Sequence, residues 1–277
     1  LATGMERIIR TPVATPLSEE RLAAVMAGMK LGFPVRYFPE IDSTNLQAWR
    51  LAGEGAPEGT TVVADTQIRG RGRLNRSWVS PPGANIYASV VLRPRIDPAA
   101  APQLTLLAGV AVAELLSGRL PTGVKIKWPN DILIAGKKVC GILTEMRATA
   151  AAIDFIILGI GINVNMDRED FEPSLQETAT SLKIAAGASF DRLKVISALF
   201  SCLEKWYWIF LARGFPGVRE AWLRHADIVG RPIRVVFKKD AQTGVVTGID
   251  ADGTLVMKDT EGIVRRVIAG DIHLLKE

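Results

Sequence analysis

Arg69, Arg71, Arg73 and Arg76 are set around Gly70 and Gly72 in the stretch RGRGRLNRSWVSPPGANIY, which runs from Arg69 to Tyr87. Like charges repel, glycine raises backbone entropy, and little that is apolar anchors the stretch before Trp78. Glycine also lets a backbone approach a ligand closely at positive φ, and guanidinium forks match carboxylate and phosphate oxygens. The pattern fits a loop that closes over a phosphate; a solvated basic hairpin tip and a nucleic-acid contact stand as alternatives. A second group lies in KIKWPNDILIAGKKVCGIL. Trp128 precedes Pro129 and is held extended, so Lys127 and Asp131 fall at the two ends of a bend, a cation for phosphate and a carboxylate for a divalent ion. Lys138 follows one hairpin turn later, with Gly141 leaving room for a ligand, although on spacing alone a charged hairpin edge accounts for Lys137 and Lys138.

Two further stretches carry polar chemistry. Asp42, Ser43 and Thr44 stand before a helical run, so hydroxyls and backbone N–H groups meet at a helix start. GIGINVN (Gly159–Asn165) lacks the third glycine and the following helix of a dinucleotide fingerprint, which leaves Asn163 and Asn165 as hydrogen-bonding groups at a strand end. DADG (Asp250–Gly253) lacks the closing glutamate of a calcium loop and reads as a hairpin turn.

The elements that must position these groups are legible from periodicity. Ser18 caps a helix predicted to run to about Lys30, ended by Gly32 and Pro34. TTVVAD and NIYASVVL are strands on either side of the arginine loop, and VKIKW, DILI, KVCGILTEM and DFIILGIGINVN supply more. Leu104, Leu107, Ala108, Ala111 and Leu115 define a buried helix. Leu193, Ile196, Phe200, Leu203, Tyr207 and Phe210 define a second, and Pro216–His225 a shorter third. From about Val229 short strands separated by Gly and Asp turns suggest a small β-barrel. The predicted class is α+β: residues 1–34 an extension with one helix, 35–227 a mixed-sheet domain with packed helices, 228–277 a small β domain.

Composition narrows the function classes. The 277 residues carry a net charge of +5, which suits an anionic partner without requiring nucleic acid. Cys140 and Cys202 are the only cysteines and His225 and His273 the only histidines, so a disulfide framework, a structural zinc site and a histidine-based triad are not expected. There is no secretory pattern at the N-terminus and no apolar run read as long enough to span a bilayer, which points to the cytoplasm.

Taken together and in order, DSTN (Asp42–Asn45), GRGRLNRSW (Gly70–Trp78), GANIY (Gly83–Tyr87), KWPNDI (Lys127–Ile132), KKVCGILTE (Lys137–Glu145) and GIGINVN resemble the motifs of bacterial biotin protein ligases. The resemblance covers roughly Arg36 to the C-terminus. It implies a class II synthetase-like catalytic sheet with an SH3-like C-terminal barrel, and ligation of biotin to one lysine of a biotin carboxyl carrier protein through biotinyl-5′-AMP, with ATP and Mg²⁺. By that resemblance Ser43, Thr44, Gln67, Gly70, Gly141 and Gly159 would form the biotin pocket. Arg71 would meet the biotin carboxylate, and Lys138 would bridge that carboxylate and the α-phosphate. Arg73, Arg76, Trp78, Asn85, Tyr87, Lys127, Asn130 and Asn163 would serve ATP, and Asp131 would meet Mg²⁺ or the incoming amine. Where the family has glycine this chain has Asn75, the non-glycine residue that best tolerates left-handed backbone.

The family often pairs through its central sheet, and its regulatory members add an N-terminal winged helix-turn-helix. Only about thirty-five residues precede RYFPEIDSTN here, so operator binding is not expected. A lipoate or octanoate transferring enzyme is the nearest alternative, since it resembles the same catalytic fold but needs a long apolar tunnel. A basic nucleic-acid-binding protein is the alternative from another class, and it leaves KWPND and GIGINVN unexplained.

Overall fold

In a computed structural model, the residues described are 16–117, 120, 123–226, 228–237, 240–268 and 270–275. The expected extension before residue 16 and the boundary at Asp227 lie outside them. The first strands follow from β-branched runs: β1 (Val35–Ile41), β2 (Thr61–Gln67) and β3 (Ile86–Leu92). β4 (Val124–Lys127), β5 (Asp131–Ile134), β6 (Lys137–Ala148) and β7 (Ile153–Ile162) complete a seven-stranded sheet of order β1-β2-β3-β7-β6-β5-β4. Only β1 and β2 run parallel; every other neighbouring pair is antiparallel, which makes the sheet mixed as expected.

Helices flank the sheet on both faces. α1 is Glu19–Val25, α2 Thr44–Gly53, α3 Pro102–Leu116, α4 Leu182–Ala186, α5 Arg192–Arg213 and α6 Pro216–His225. α2 lies on one face and the long pair α3 and α5 on the other. α3 is apolar on nearly all sides because it lies between the sheet and α5 and α6, burying Leu104, Leu107, Val110, Ala111 and Leu115. α1 stops at Val25, short of the expected Lys30: Met26 leaves helical geometry and Gly28 reverses the chain at φ 83°. Pro98–Leu116 and Arg192–Arg213 are long and apolar enough to cross a membrane by length and composition, which corrects the reading that no run qualifies. In this fold, 72% of the qualifying window is buried in the first and 44% in the second.

The opposite face is covered over half its width. α2 seals Val62, Val91, Phe155 and Ile157 with Ala48 and Ala52. Beyond α2 the same face carries Gly159 and Gly161 of β7 and Gly141 of β6, and the sheet opens. At the C-terminus β8 (Pro232–Phe237), β9 (Asp240–Ile249), β10 (Leu255–Asp259), β11 (Val264–Val267) and β12 (Asp271–Leu274) form a five-stranded antiparallel, barrel-like unit. β12, paired with β8, has no counterpart among the predicted strands. The DADG stretch turns between β9 and β10, with Asp250 N–H donating to Thr254 O. Arg219 of α6 donates to Ile249 O at 2.7 Å and ties this unit to the helical layer.

Candidate functional site

Glycine makes the cavity. Gly141 and Gly161 face each other in register across β6 and β7, and Gly159 lies opposite Ser89 of β3. A methyl on Gly161 would stand 2.7 Å from the Trp78 ring and one on Gly141 2.8 Å from it, so the indole rests directly on a strip of bare backbone. Around that strip lies a cavity of about 510 Å³. Its wall gathers Ser43 and Thr44 from α2, Gln67 from the end of β2, and Arg71, Arg73, Arg76 and Trp78 from the arginine loop. Tyr87, Lys127, Asn130, Asp131, Lys138, Gly141, Gly159 and Asn163 complete it. Groups more than a hundred residues apart in sequence thus share one hollow.

Gly70 and Asn85 are expected site residues that the wall does not include. A Cβ on Gly70 would meet Trp78 O at 2.2 Å, so glycine there permits the loop to fold back on itself. Asn85 is fully buried behind the wall: its Oδ1 accepts from Val164 N–H at 2.9 Å and its Nδ2 faces Met166 Sδ, which fixes the chain leaving β7. Asn165 likewise clasps the backbone of Phe190 through both ends of its amide.

The arginine loop is a small hairpin. Trp78 N–H donates to Gly70 O at 2.9 Å, Gly72 N–H to Arg76 O at 2.7 Å, and the tip turns through Arg73–Asn75. Asn75 adopts the left-handed conformation expected for a glycine substitute, at φ 59°. Leu74 does so too, at φ 55°, with its side chain exposed, a conformation that costs a γ-branched residue about 1–2 kcal/mol.

Cations converge on the cavity from three directions. Lys138 Nζ forms an ion pair with Asp131 Oδ1 at 2.7 Å and lies 5.3 Å from the centre of the Trp78 ring. Arg71 Nη2 lies 2.9 Å from Glu145 Oε1, and Arg73 donates to Asn130 Oδ1 at 3.0 Å. Each of these cations is held on a short polar tether, and an ammonium or guanidinium carries more N–H donors than one such contact uses, which for Lys138 and Arg71 suits an anion arriving between them. Cys140, fully buried beneath them, has its thiol pushed up by desolvation and is a packing residue.

The other end of the cavity is neutral and hydrogen-bonding. The first N–H of α2, on Thr44, has no intrahelical acceptor and donates instead to Gln67 Oε1 at 2.9 Å, while Gln67 Nε2 donates to Ser80 Oγ at 3.0 Å. Asn45 Oδ1 accepts from Ser89 Oγ at 2.6 Å, and its Nδ2 donates to Glu145 Oε2 at 2.9 Å. A Cβ on Gly159 would stand 1.9 Å from Asn45 Oδ1. Gly159→Ala is therefore expected to displace the start of α2 and cost about 2–3 kcal/mol of unfolding free energy, read as a lowered urea midpoint. A midpoint equal to wild type would show that the amide swings away freely.

The segment after β7 forms the remaining wall. Lys138 N–H donates to Thr178 O and Thr180 N–H donates to Lys138 O, so residues 178–180 run beside β6, while Met166, Phe171 and Leu175 supply apolar surface. Asn163 Nδ2 donates to Thr180 O at 3.1 Å and braces this segment. Among the described residues no group of three or more His, Cys, Asp or Glu could hold a metal. Among them the wall carries two carboxylates, Asp131 beside Lys138 and Glu177 paired with Lys137 and Arg168, too few for a protein-built cage and suited to an ion held chiefly by substrate phosphates and water.

Sequence reasoning missed Asn45, Ser89, Glu145, Gly161 and the wall from Met166 to Ala179. Gly161 and Glu145 were within reach: each lies an even number of residues from a chosen neighbour, Gly159 or Gly141, on the same face of its strand.

Residues 37–163 match the biotin/lipoate A/B protein ligase family. The bifunctional ligase/repressor BirA of Bacillus subtilis is 41% identical over 268 residues, covering 97% of this chain and 82% of that protein. A biotin–[acetyl-CoA-carboxylase] ligase of Paracoccus denitrificans is 34% identical over 82% of this chain and 94% of its own length. A solved biotin protein ligase of Aquifex aeolicus, in complex with biotin and ATP, superposes with a TM-score of 0.74 at 28% identity, covering 88% of this chain and 99% of that one. Similarity of this extent, along nearly the whole chain and through the strands and loops that build the cavity, makes this protein a member of the biotin protein ligase family.

Proposed function

We propose that this chain joins biotin and ATP into biotinyl-5′-AMP and passes the biotinyl group to a lysine of a biotin carboxyl carrier protein. The observation that carries the reading is the division of one cavity into a cationic end, with Arg71, Arg73 and Lys138, and a neutral end at the start of α2. A carboxylate is ionised at neutral pH and needs no general base. The obstacle is repulsion as its oxygen approaches the α-phosphorus; that bond forms, pyrophosphate leaves, and cations placed in advance lower the barrier. The lysine nitrogen then attacks the acyl carbon, AMP leaves, and the amine gives up a proton.

In this reading Ser43, Thr44 and Gln67 bind the ureido ring, and Arg71 and Lys138 hold the carboxylate, with Lys138 reaching the α-phosphate. Arg73, Arg76 and Lys127 take the outer phosphates. Trp78, Tyr87, Asn130 and Asn163 line the nucleotide side, where the apolar surface of Met166, Phe171 and Leu175 suits a base. Mg²⁺ on the phosphates would meet Asp131 and neutralise charge that the lysines and arginines leave. In the same reading Asp131 would orient the incoming amine. The polar partners at the start of α2 favour biotin over the lipoate alternative, which offers no ureido group to them.

The acceptor is a carrier-protein domain. The two free cysteines fit a reducing compartment, and the cytoplasm is the proposed location. Pairing of two copies through the central sheet is proposed with it. Repressor describes some of the relatives, and no operator DNA is assigned to the residues described here.

Incubation with biotin, ATP and Mg²⁺ followed by native mass spectrometry is expected to show biotinyl-AMP retained on the protein, and biotin to raise the melting temperature where lipoate and octanoate do not. Stabilisation by octanoate alone would move the assignment to the alternative.

A further inference from the structure

Glu145 is absent from every role assigned above, yet both of its carboxylate oxygens are engaged. Oε1 lies 2.9 Å from Arg71 Nη2 and Oε2 accepts from Asn45 Nδ2 at 2.9 Å. Asn45 is buried at the start of α2 and passes the connection to Ser89, whose hydroxyl also lies 2.8 Å from Thr44 Oγ1. A continuous polar chain therefore runs from the guanidinium of the arginine loop to the hydroxyl at the neutral end of the cavity.

We infer that Glu145 is a positioning residue, which fixes Arg71 relative to the start of α2 and so sets the distance between the two ends of the ligand pocket. The backbone of the arginine loop is closed by its own hairpin hydrogen bonds, but Gly70 and Gly72 give it no side-chain anchor on either side of Arg71, which lies on its exposed flank. An ion pair to a half-buried carboxylate on β6, one of the best-paired strands in the sheet, restrains it. The geometry is divided between the two oxygens: one orients the guanidinium and the other is oriented by the Asn45 amide. Arg71 meets Glu145 through Nη2, and a guanidinium has donors beyond that one nitrogen with which to meet a second carboxylate. The ligand assignment rests on the proposed function; the restraint on the loop does not.

Glu145→Gln separates these effects, because its amide oxygen can still accept from Asn45 while its NH₂ meets Arg71 donor to donor. Trypsin cuts after arginine, so nicking between Arg69 and Arg76 reports loop opening without any ligand. E145Q is expected to speed that nicking by about fivefold, and E145D, which keeps the charge one methylene back, to lie between. In biotin-dependent ATP–pyrophosphate exchange E145Q is expected to raise the KM for biotin about tenfold, leave the KM for ATP in place, and have no further effect in an R71A background. Wild-type nicking rates in both variants would overturn the inference. So would an E145Q defect of the same size with and without Arg71, since Glu145 would then act only through the fold. If wild-type protein shows no biotin-dependent exchange, the proposed function falls and the nicking rates alone decide whether Glu145 restrains the loop.

Discussion

Lys138→Ala is expected to slow biotin-dependent ATP–pyrophosphate exchange by about a hundredfold or more, the loss seen when one preorganised donor to a developing charge is removed. The structure isolates the side chain as the cause. Lys138 holds the segment beside β6 through its backbone, with N–H to Thr178 O and O from Thr180 N–H, and alanine keeps both bonds. What disappears is an ammonium 2.7 Å from Asp131 and 5.3 Å from the Trp78 ring centre. The carboxylate left behind adds repulsion toward phosphate, so a K138A/D131N double variant is expected to recover part of the rate. Arginine at this position is expected to rescue poorly, because a planar fork does not reproduce a compact point charge seated over an indole. An exchange rate within twofold of wild type in K138A would remove Lys138 from the chemistry.

That prediction uses a residue whose surroundings were only half legible in the sequence. Lys138 was visible as a cation on a strand, but a charged hairpin edge explained it equally well until Asp131, Trp78 and the 178–180 segment were seen around it. The strands of the catalytic sheet were readable because β-branched runs between Gly and Pro punctuation leave few alternatives, and α3 and α5 because their apolar residues repeat at helical spacing. β12 was not: Asp271–Leu274 alternates polar and apolar residues over only four positions, too few to mark a strand alone, and it forms by pairing with β8, nearly forty residues earlier. The end of α1 was overshot because Met26–Lys30 holds no proline, and the break depends on Gly28 and on packing of Gly32 against Met26. Asn45, Ser89 and Glu145 escaped notice because a buried polar network is defined by who meets whom, and single polar residues carry no period. The role of Gly141 as room for a ligand was legible; that the same room in the structure holds the Trp78 ring was not.

The largest stability effect is expected at Arg192, which no motif marks. It opens α5 with its side chain about 5% exposed, donating to Asp65 Oδ1 at 2.7 Å and to Asn85 O at 3.2 Å. Asp65, near the end of β2, accepts in turn from Gly83 N–H at 3.0 Å. One buried guanidinium thereby joins a helix start, the exit of β2 and the entry of β3, the two strands between which the arginine loop is strung. Asp65 is about 21% exposed, so removing Arg192 leaves a partly solvated carboxylate uncompensated, at the lower end of the roughly 3–5 kcal/mol of a fully buried pair, whereas replacing both is far milder. Arg192→Met is expected to cost about 3 kcal/mol of unfolding free energy in a urea titration, and Asp65→Asn/Arg192→Met to recover part of it. The loss should also reach the nucleotide wall, since Asn85 holds Val164 N–H and faces Met166 Sδ. A raised KM for ATP in R192M protein that is still folded, with the KM for biotin less affected, would be its signature. An unfolding free energy within about 1 kcal/mol of wild type would mean that Asp65 finds solvent when its partner is gone, and that β2 and β3 hold the arginine loop without this pair.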